Sequence, residues 1–310
     1  GIFDNENQYF CGSLDGNGYT ISDLYISNVN ANYIGLFGRA KDSAFKNITL
    51  AGTIEGINTT AVAYIGGMCG YTEETDFTDC NIAFFNISNL TVGTSGYDSS
   101  VGCLAGYTYG GNIMKCRADE CSINLKSGRF DSGIMVGLCS TTISYCEVKS
   151  TESGLFSTSS NVGKCSIGGL CGSAYREVRS CSVSAPYFAN TLQTNDNVDI
   201  GGVCGYARNT VRTSSAQFSD GMIKTIDGID YKSSIYASGN GRVDVGGITG
   251  VSNGVGMIDC KYNGQSLTAT SQTMPTSVGG LTGTAEYSGG NPKATFTIKR
   301  SFANVDGILY

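Results

Sequence analysis

The sequence predicts an all-β fold: a single-stranded parallel β-helix (a solenoid) of about eight coils, with roughly 33 residues in each coil. Three observations predict this class: a glycine motif that returns at regular spacing, a second apolar element that follows it, and the composition. Of 310 residues, 44 are Gly and only 3 are Pro, and 15% are charged, against roughly 25% in ordinary globular domains. This composition favours short strands joined by tight turns, while 40% hydrophobic residues suffice for a core.

The first element of each repeat is an apolar segment that ends in glycine. It reads IGGMCGY at 65–71, VGCLAGY at 101–107, IGGLCGS at 167–173, IGGVCGY at 200–206, VGGITG at 245–250 and VGGLTG at 278–283, with weaker copies at 34–38 and 133–137. The closing glycines fall at positions 38, 70, 106, 137, 172, 205, 250 and 283. Their spacing is 31–36 residues, except for one interval of 45. A period in this range is typical of solenoids.

The second element is a small residue between apolar ones, nine or ten positions after most closing glycines. The small residue is Cys80, Cys116, Cys146, Cys181 or Cys260, and Asn47, Ser214 and, after an insertion, Ser301 are assigned to the same position. Side chains two apart on a strand share a face, so Cys80 and Ile82 should both point inward. We therefore expect the five cysteines to form a buried ladder of free thiols, without disulfides or metal.

Two further expectations follow from the stacking of coils. One aliphatic position per repeat should form a buried column: Met68, Leu104, Leu170, Val203, Ile248 and Leu281. The motif glycines, such as Gly67 and Gly202, should lie where the chain has a positive φ or where backbones approach closely.

Composition also excludes several classes of function. A net charge of −6 without basic clusters disfavours nucleic acid and anionic lipid as partners. No apolar run approaches the roughly 18 residues of a membrane-spanning helix. The chain opens at Gly1 without Met, which indicates a mature or trimmed chain. With no His and no CxxC among the 13 Cys, neither a Ser-His-Asp triad nor a zinc site is expected, and we predict no metal and no cofactor.

The Gly-Gly-aliphatic-small-Gly motif with its second element resembles the GLUG-type repeats of bacterial surface proteins, and FCGSLDGNGYTI at 10–21 resembles their leader coil. The resemblance covers roughly residues 10–305 and implies a right-handed parallel β-helix. The repeat at 133–137 departs from the pattern because Ile134 replaces the second glycine. We expect a single solenoid domain over residues 1–310, with a leader coil at about 1–30 and repeats at about 31–305.

The resemblance implies an extracellular, cell-surface adhesion or binding module, because relatives of this family include surface adhesins. The expected partner is an extracellular glycan or a surface protein, and an enzyme is not expected. Two alternatives stay open: a non-catalytic stalk of a larger surface protein, and a polysaccharide lyase or glycosidase, since parallel β-helices often carry such activities.

The candidate ligand-binding residues lie in the long interval between closing glycines, at residues 217–242. Some twelve residues there exceed what a coil needs, and loops on a rigid scaffold often carry recognition. The candidates combine carboxylates with aromatic rings: Asp220, Asp227, Asp230, Tyr231 and Tyr236. The alternatives are a hairpin that only packs on a neighbouring coil, and a binding stripe formed by Tyr71, Tyr107 and Tyr206, which share one position of the repeat.

Overall fold

The computed structural model describes residues 8–92, 98–151, 155–188, 193–194, 196–218, 222–226, 229–233, 235–253, 256–271, 273–286 and 297–309, and these residues form strands, turns and bends without a helix. The strands of the first half are β1 (Ser13–Asp15), β2 (Thr20–Ser27), β3 (Tyr33–Ile34), β4 (Phe37–Lys41), β5 (Ala44–Lys46), β6 (Thr49–Glu55), β7 (Tyr64–Gly66), β8 (Cys69–Glu73), β9 (Asp76–Thr78), β10 (Asn81–Thr91), β11 (Ser99–Gly102), β12 (Ala105–Met114), β13 (Arg117–Asp119), β14 (Ser122–Gly133), β15 (Val136–Ser144) and β16 (Glu147–Lys149). Those of the second half are β17 (Phe156–Gly168), β18 (Cys171–Ala174), β19 (Val178–Arg179), β20 (Ser182–Ala185), β21 (Gln193–Thr194), β22 (Val198–Gly201), β23 (Cys204–Ala207), β24 (Val211–Arg212), β25 (Ser215–Phe218), β26 (Met222–Ile226), β27 (Ile229–Ser233), β28 (Ile235–Gly239), β29 (Val243–Gly246), β30 (Thr249–Asn253), β31 (Gly256–Ile258), β32 (Lys261–Ser271), β33 (Thr276–Gly279), β34 (Thr282–Glu286), β35 (Thr297–Lys299) and β36 (Phe302–Leu309).

The strands stack as the coils of a parallel β-solenoid, which confirms the predicted fold class. Two large sheets form the wall, and the wall strands that the structure describes pair in parallel. In the first sheet, residues of successive coils pair with one another in register, and such a row of paired residues is called a register column. One register column runs through every repeat: Phe37, Cys69, Ala105, Val136, Cys171, Cys204, Thr249 and Thr282. These are eight positions joined by seven parallel pairings, in agreement with about eight coils. The leader forms a coil as well, since β1 pairs with β5 and β2 with β6.

The core lies between the two sheets and is built from columns of like side chains. Along one corner the backbone amide of each residue donates to the carbonyl of its counterpart in the next coil over 2.8–3.0 Å, in the order Met68, Leu104, Met135, Leu170, Val203, Ile248 and Leu281. This is the predicted aliphatic column, with Met135 filling it in the fourth repeat. All its members are buried except Leu281, which is only partly buried near the last coil.

The cysteine ladder is confirmed in large part. Cys80, Cys116, Cys146, Cys181 and Cys260 are buried and free, and Ser214 and Ser301 continue the same column. One assignment is wrong by a residue: Ile48, not Asn47, occupies the ladder position, because the Asn81 amide donates to the Ile48 carbonyl as the Arg117 amide does to that of Cys80. Asn47 instead takes the left-handed position before it, with a φ of 51° that matches Asp79.

The motif glycines serve close approach and not a positive φ. A Cβ on Gly67 would lie 2.4 Å from the Cys103 carbonyl oxygen and 2.9 Å from the Phe85 ring. A Cβ on the closing Gly106 would lie 2.4 Å from the Ile65 amide nitrogen, which belongs to the other sheet. The closing glycines therefore let the edges of the two sheets meet backbone to backbone at one corner of the solenoid.

The long interval between closing glycines contains a hairpin outside the two wall sheets. β26 and β27 pair antiparallel as a separate two-stranded sheet, with Thr225 opposite Asp230 and Lys224 opposite Tyr231. β28 then returns to the wall and pairs in parallel with β32.

Candidate functional site

Two register columns, each a row of residues paired with one another in successive coils, flank the corner where the two sheets meet, and we call this strip the axial groove. One consists of Tyr33, Tyr64, Ser100, Asp131, Ser166, Asp199, Asp244 and Ser277. The other consists of Arg39, Tyr71, Tyr107, Leu138, Ser173, Tyr206, Val251 and Thr284. Because Val198 and Ile200 face the core, Asp199 between them points away from it, and the close approach of the second sheet covers its side chain.

The first half of the groove is lined by what we call the tyrosine cluster: Tyr9, Tyr33, Tyr64, Tyr71 and Tyr107, gathered around Arg39. The Tyr71 and Tyr107 rings meet edge to face at 5.3 Å between centroids, and Tyr64 lies 5.6 Å from Tyr107. The Arg39 guanidinium lies 4.6 Å from the ring centroid of Tyr33 and 4.0 Å from that of Tyr9. Burial raises the pKa of Tyr71 to about 12, so its hydroxyl is a neutral donor at physiological pH.

The second half of the groove opens into a cavity of about 290 Å³, which we call the polar pocket. It is lined by Asp98, Asp131, Lys164, Ser166, Ser173, Tyr175, Asp199, Tyr206, Arg208 and Arg242. Two tyrosines thus accompany three carboxylates and three cations. Tyr206 is also tied to the next coil, because Asn253 Nδ2 donates to its hydroxyl over 2.8 Å.

Ion pairs organise the charges at both ends of the polar pocket. At one end Asp98 accepts from Lys164 Nζ and from Arg129 Nε, each over 2.9 Å. At the other end Arg242 serves three carboxylates: its Nε lies 2.6 Å from Asp244 Oδ2, its Nη2 lies 3.7 Å from Asp199 Oδ1, and its Nη1 contacts Glu286.

Two of the pocket carboxylates are buried and hold their protons more tightly than usual. Burial raises the pKa of Asp131 to about 6, partly offset by a hydrogen bond of 2.5 Å from Ser173 Oγ. Burial also raises the pKa of Asp199 to about 7; nearby Asp244 adds to this rise, and Arg242 and Lys164 oppose it. Among the described residues, no donor forms a hydrogen bond to Asp199 Oδ1, although the side chain is only 8% exposed.

The predicted ligand-binding residues fall on the hairpin, on the wall strand that follows it and outside the described residues. Asp220 and Asp227 lie outside the described residues, while Asp230 and Tyr231 lie in the second strand of the hairpin. Tyr236 was wrongly placed among surface ligands: its side chain is only 3% exposed, because β28 belongs to the wall. Tyr71 and Tyr107 of the alternative stripe are in contact, and Tyr206 shares their register column but lies in the polar pocket, three coils beyond Tyr107.

The pocket carboxylates Asp131 and Asp199 were missed at the sequence level. They occupy the position two residues before the first motif glycine, where the other repeats have Tyr33, Tyr64, Ser100, Ser166, Asp244 and Ser277. The residue between is hydrophobic in every repeat except that of Asp131, where it is Ser132, so aligning the repeats on the first glycine and following this column would have revealed a polar stripe.

Fold and groove together define a class of protein, a parallel β-solenoid with an aromatic and polar groove along its axis. No protein family matches the chain, and no solved structure matches it. One stretch of 73 residues is 40% identical to a protein of Evansella cellulosilytica described as a "Putative Gly-rich membrane protein". That similarity covers 22% of this chain and 8% of the other protein's length.

The described residues lack two further kinds of feature. They contain no helix that is long and apolar enough to cross a membrane. They also contain no group of three or more Cys, Asp or Glu side chains arranged to hold a metal ion.

Proposed function

We propose that this chain is a binding module of the bacterial cell surface and that it holds a glycan along the axial groove. The main observation behind the proposal is that the tyrosine cluster and the polar pocket lie along the same axial groove. Two unbroken register columns border this groove. The resemblance to GLUG-type surface repeats supports the location, as does the similarity to a bacterial protein described as a membrane protein.

The chemistry of the groove suits a sugar polymer. Tyrosine rings offer flat apolar faces with a polar hydroxyl at the edge, which matches a pyranose with C–H groups on its faces and hydroxyls around its rim. Buried carboxylates and serines provide the few convergent polar groups that orient a ligand in a pocket. From Tyr71 to Tyr206 the groove crosses four coil spacings, or roughly 19 Å, so it is long enough for several sugar units.

A panel of polysaccharides tests this function. We expect the protein to be retained by one or more of cellulose, xylan, mannan, pectin, chitin and chitosan in affinity electrophoresis. The double variant Tyr71→Ala/Tyr107→Ala removes two stacking contacts, each worth on the order of 0.5–1.5 kcal/mol, and should lower affinity about tenfold or more. Tyr19→Ala is the matched control, because Tyr19 is 75% exposed and lies outside the groove.

A second variant separates the groove from the hairpin. Replacing Asp227, Asp230 and Tyr231 with Ala should leave retention unchanged when the groove is the site. If that triple variant loses retention while Tyr71→Ala/Tyr107→Ala keeps it, the hairpin is the site and the groove proposal is wrong. If no polysaccharide retains the protein, the stalk becomes the better account.

A glycan-cleaving enzyme is the second candidate, and one observation favours it: Asp131 and Asp199 line the same pocket and both have raised pKa values. Two coil spacings separate their Cα atoms by roughly 10 Å. Inverting glycosidases place their carboxyl groups about 6.5–9.5 Å apart. Release of reducing ends from a retained polysaccharide, abolished by Asp199→Asn, would establish this alternative.

A further inference from the structure

The charges around Asp199 leave its carboxylate undercompensated. Its nearest cation is Arg242, whose Nη2 is 3.7 Å from Asp199 Oδ1, a distance too long for a hydrogen bond. Arg242 is held more closely by Asp244, at 2.6 Å, and by Glu286. One guanidinium therefore serves three carboxylates.

The other cations of the pocket do not supply the missing partner. Lys164 Nζ is 2.9 Å from Asp98 Oδ2 and acts on Asp199 only at longer range. Arg208 is exposed and lies over the Tyr175 ring at 5.0 Å from its centroid. The pocket and the residues paired with its lining carry five carboxylates (Asp98, Asp131, Asp199, Asp244 and Glu286) and four cations (Arg129, Lys164, Arg208 and Arg242).

A buried acceptor without a donor loses free energy that a bound donor restores. Among the described residues Asp199 Oδ1 is such an acceptor, and Asp199 lines a cavity large enough for a sugar ring. A hydroxyl would satisfy the oxygen, but a protonated amine would also supply the positive charge that this end of the pocket lacks, and charge-assisted hydrogen bonds are the stronger kind.

We propose that the polar pocket recognises an amino sugar with a free, protonated amine, and that this amine donates to the Asp199 carboxylate. The inference rests on the proposed glycan-binding function and names its ligand class. Tyr175 and Tyr206, which also line the pocket, provide the ring contacts for the same sugar unit.

A matched pair of oligosaccharides tests the inference. The hexamer of β-1,4-linked glucosamine and the hexamer of N-acetylglucosamine share length and linkage and differ only in the amine. By calorimetric titration at neutral pH we expect the glucosamine hexamer to bind about tenfold or more tightly than its acetylated counterpart. Asp199→Asn should abolish that preference, because an amide does not attract a cation as a carboxylate does.

Controls distinguish specific binding in the polar pocket from nonspecific electrostatic attraction of a cation to an acidic protein. Asp79→Asn, an exposed aspartate outside the groove, should keep the full preference. Hexalysine should bind at least tenfold more weakly than the glucosamine hexamer.

The outcomes distinguish this inference from the proposed function. Equal affinities for the two hexamers, a preference that survives in Asp199→Asn, or equally tight binding of hexalysine would each overturn the amino-sugar assignment. If neither hexamer binds but another polysaccharide binds in a Tyr71- and Tyr107-dependent way, the inference is wrong and the proposed function stands. If no glycan binds at all, both fail.

Discussion

At the scale of single residues, Asp199 shows how the repeat creates a chemical site out of a structural position. The same position holds tyrosine or serine in other coils, where the groove corner buries a ring or a small hydroxyl. In the coil of Asp199 the corner buries a carboxylate, and desolvation raises its pKa to about 7. This position therefore stabilises the fold least when Asp199 is ionised.

Because Asp199 is buried, the free energy of unfolding of the protein should depend on pH. The folded pKa of Asp199 lies above its ordinary value of 3.8, so the native state binds the proton more tightly than the unfolded chain. The contribution of Asp199 to stability is therefore favourable at low pH and is lost as the pH rises from 3.8 to about 7.

Asp199→Asn removes that dependence. We expect its melting temperature to match the wild type near pH 4 and to exceed it by about 8–16 °C near pH 8. A pKa of about 7 against 3.8 corresponds to about 4 kcal/mol at pH 8, and each 1 kcal/mol shifts the melting temperature of a domain of this size by roughly 2–4 °C. Asp79→Asn, at an exposed position, serves as the control. A difference between Asp199→Asn and wild type that is the same at both pH values would contradict this assignment.

The motif glycines should be intolerant of side chains for a steric reason. A Cβ at Gly67 or Gly202 would lie 2.4 Å or 2.2 Å from a carbonyl oxygen of the next coil. We expect Gly67→Val and Gly202→Val to lower the free energy of unfolding by on the order of 1–3 kcal/mol or more, measured by denaturant titration. Gly12→Val is the matched control, because the nearest atom to its Cβ would be 3.7 Å away. Equal destabilisation at Gly12 would mean that close approach is not the cause.

At the scale of elements, the buried cysteines of the repeats connect a sequence pattern to a chemical property, the inaccessibility of their thiols. Twelve of the 13 cysteines are buried and free, and only Cys11 is exposed. Burial raises the pKa of the Cys139 thiol to about 12, so it remains protonated and unreactive at neutral pH. The Sγ atoms of Cys171 and Cys204 lie 3.4 Å apart in consecutive coils, well beyond the length of a disulfide bond.

Thiol labelling should therefore detect one fast cysteine in the native protein. With an aromatic disulfide reagent we expect one equivalent to react quickly and 13 after unfolding in denaturant. Cys11→Ser should remove the fast phase. Any fast thiol that remains in that variant would show that a buried cysteine is open to solvent.

The elements also show what could be predicted from the sequence. The spacing of the closing glycines and of Cys80 and its counterparts was sufficient to predict the coils, because each coil repeats the same inward-facing side chains. Asn47 was misplaced by one residue because a polar left-handed position and a small core position lie side by side. The groove was not predicted, since Asp131 and Asp199 are 68 residues apart and meet only through the register of the sheets.

At the scale of the whole molecule, each coil contacts mainly the coils before and after it, as in other repeat proteins. Destabilisation should therefore stay local. In Gly202→Val we expect amide hydrogen exchange to accelerate in β18, β23 and β30, the strands of the adjoining coils, while β4 and β8 keep the wild-type rates. A uniform acceleration along the chain would instead identify the solenoid as one cooperative unit.

The direction of the hydrogen bonds between coils has a mechanical consequence. These bonds lie along the solenoid axis, so a force that pulls the two ends apart loads the terminal coil first and releases one coil at a time. A folded coil contributes about 4.8 Å to the length of the molecule. Once released, its roughly 33 residues extend to about 110–120 Å. Each coil therefore becomes more than twentyfold longer when it is released, and the protein under tension lengthens one coil at a time. In an optical trap its force–extension curve should show a regular sawtooth.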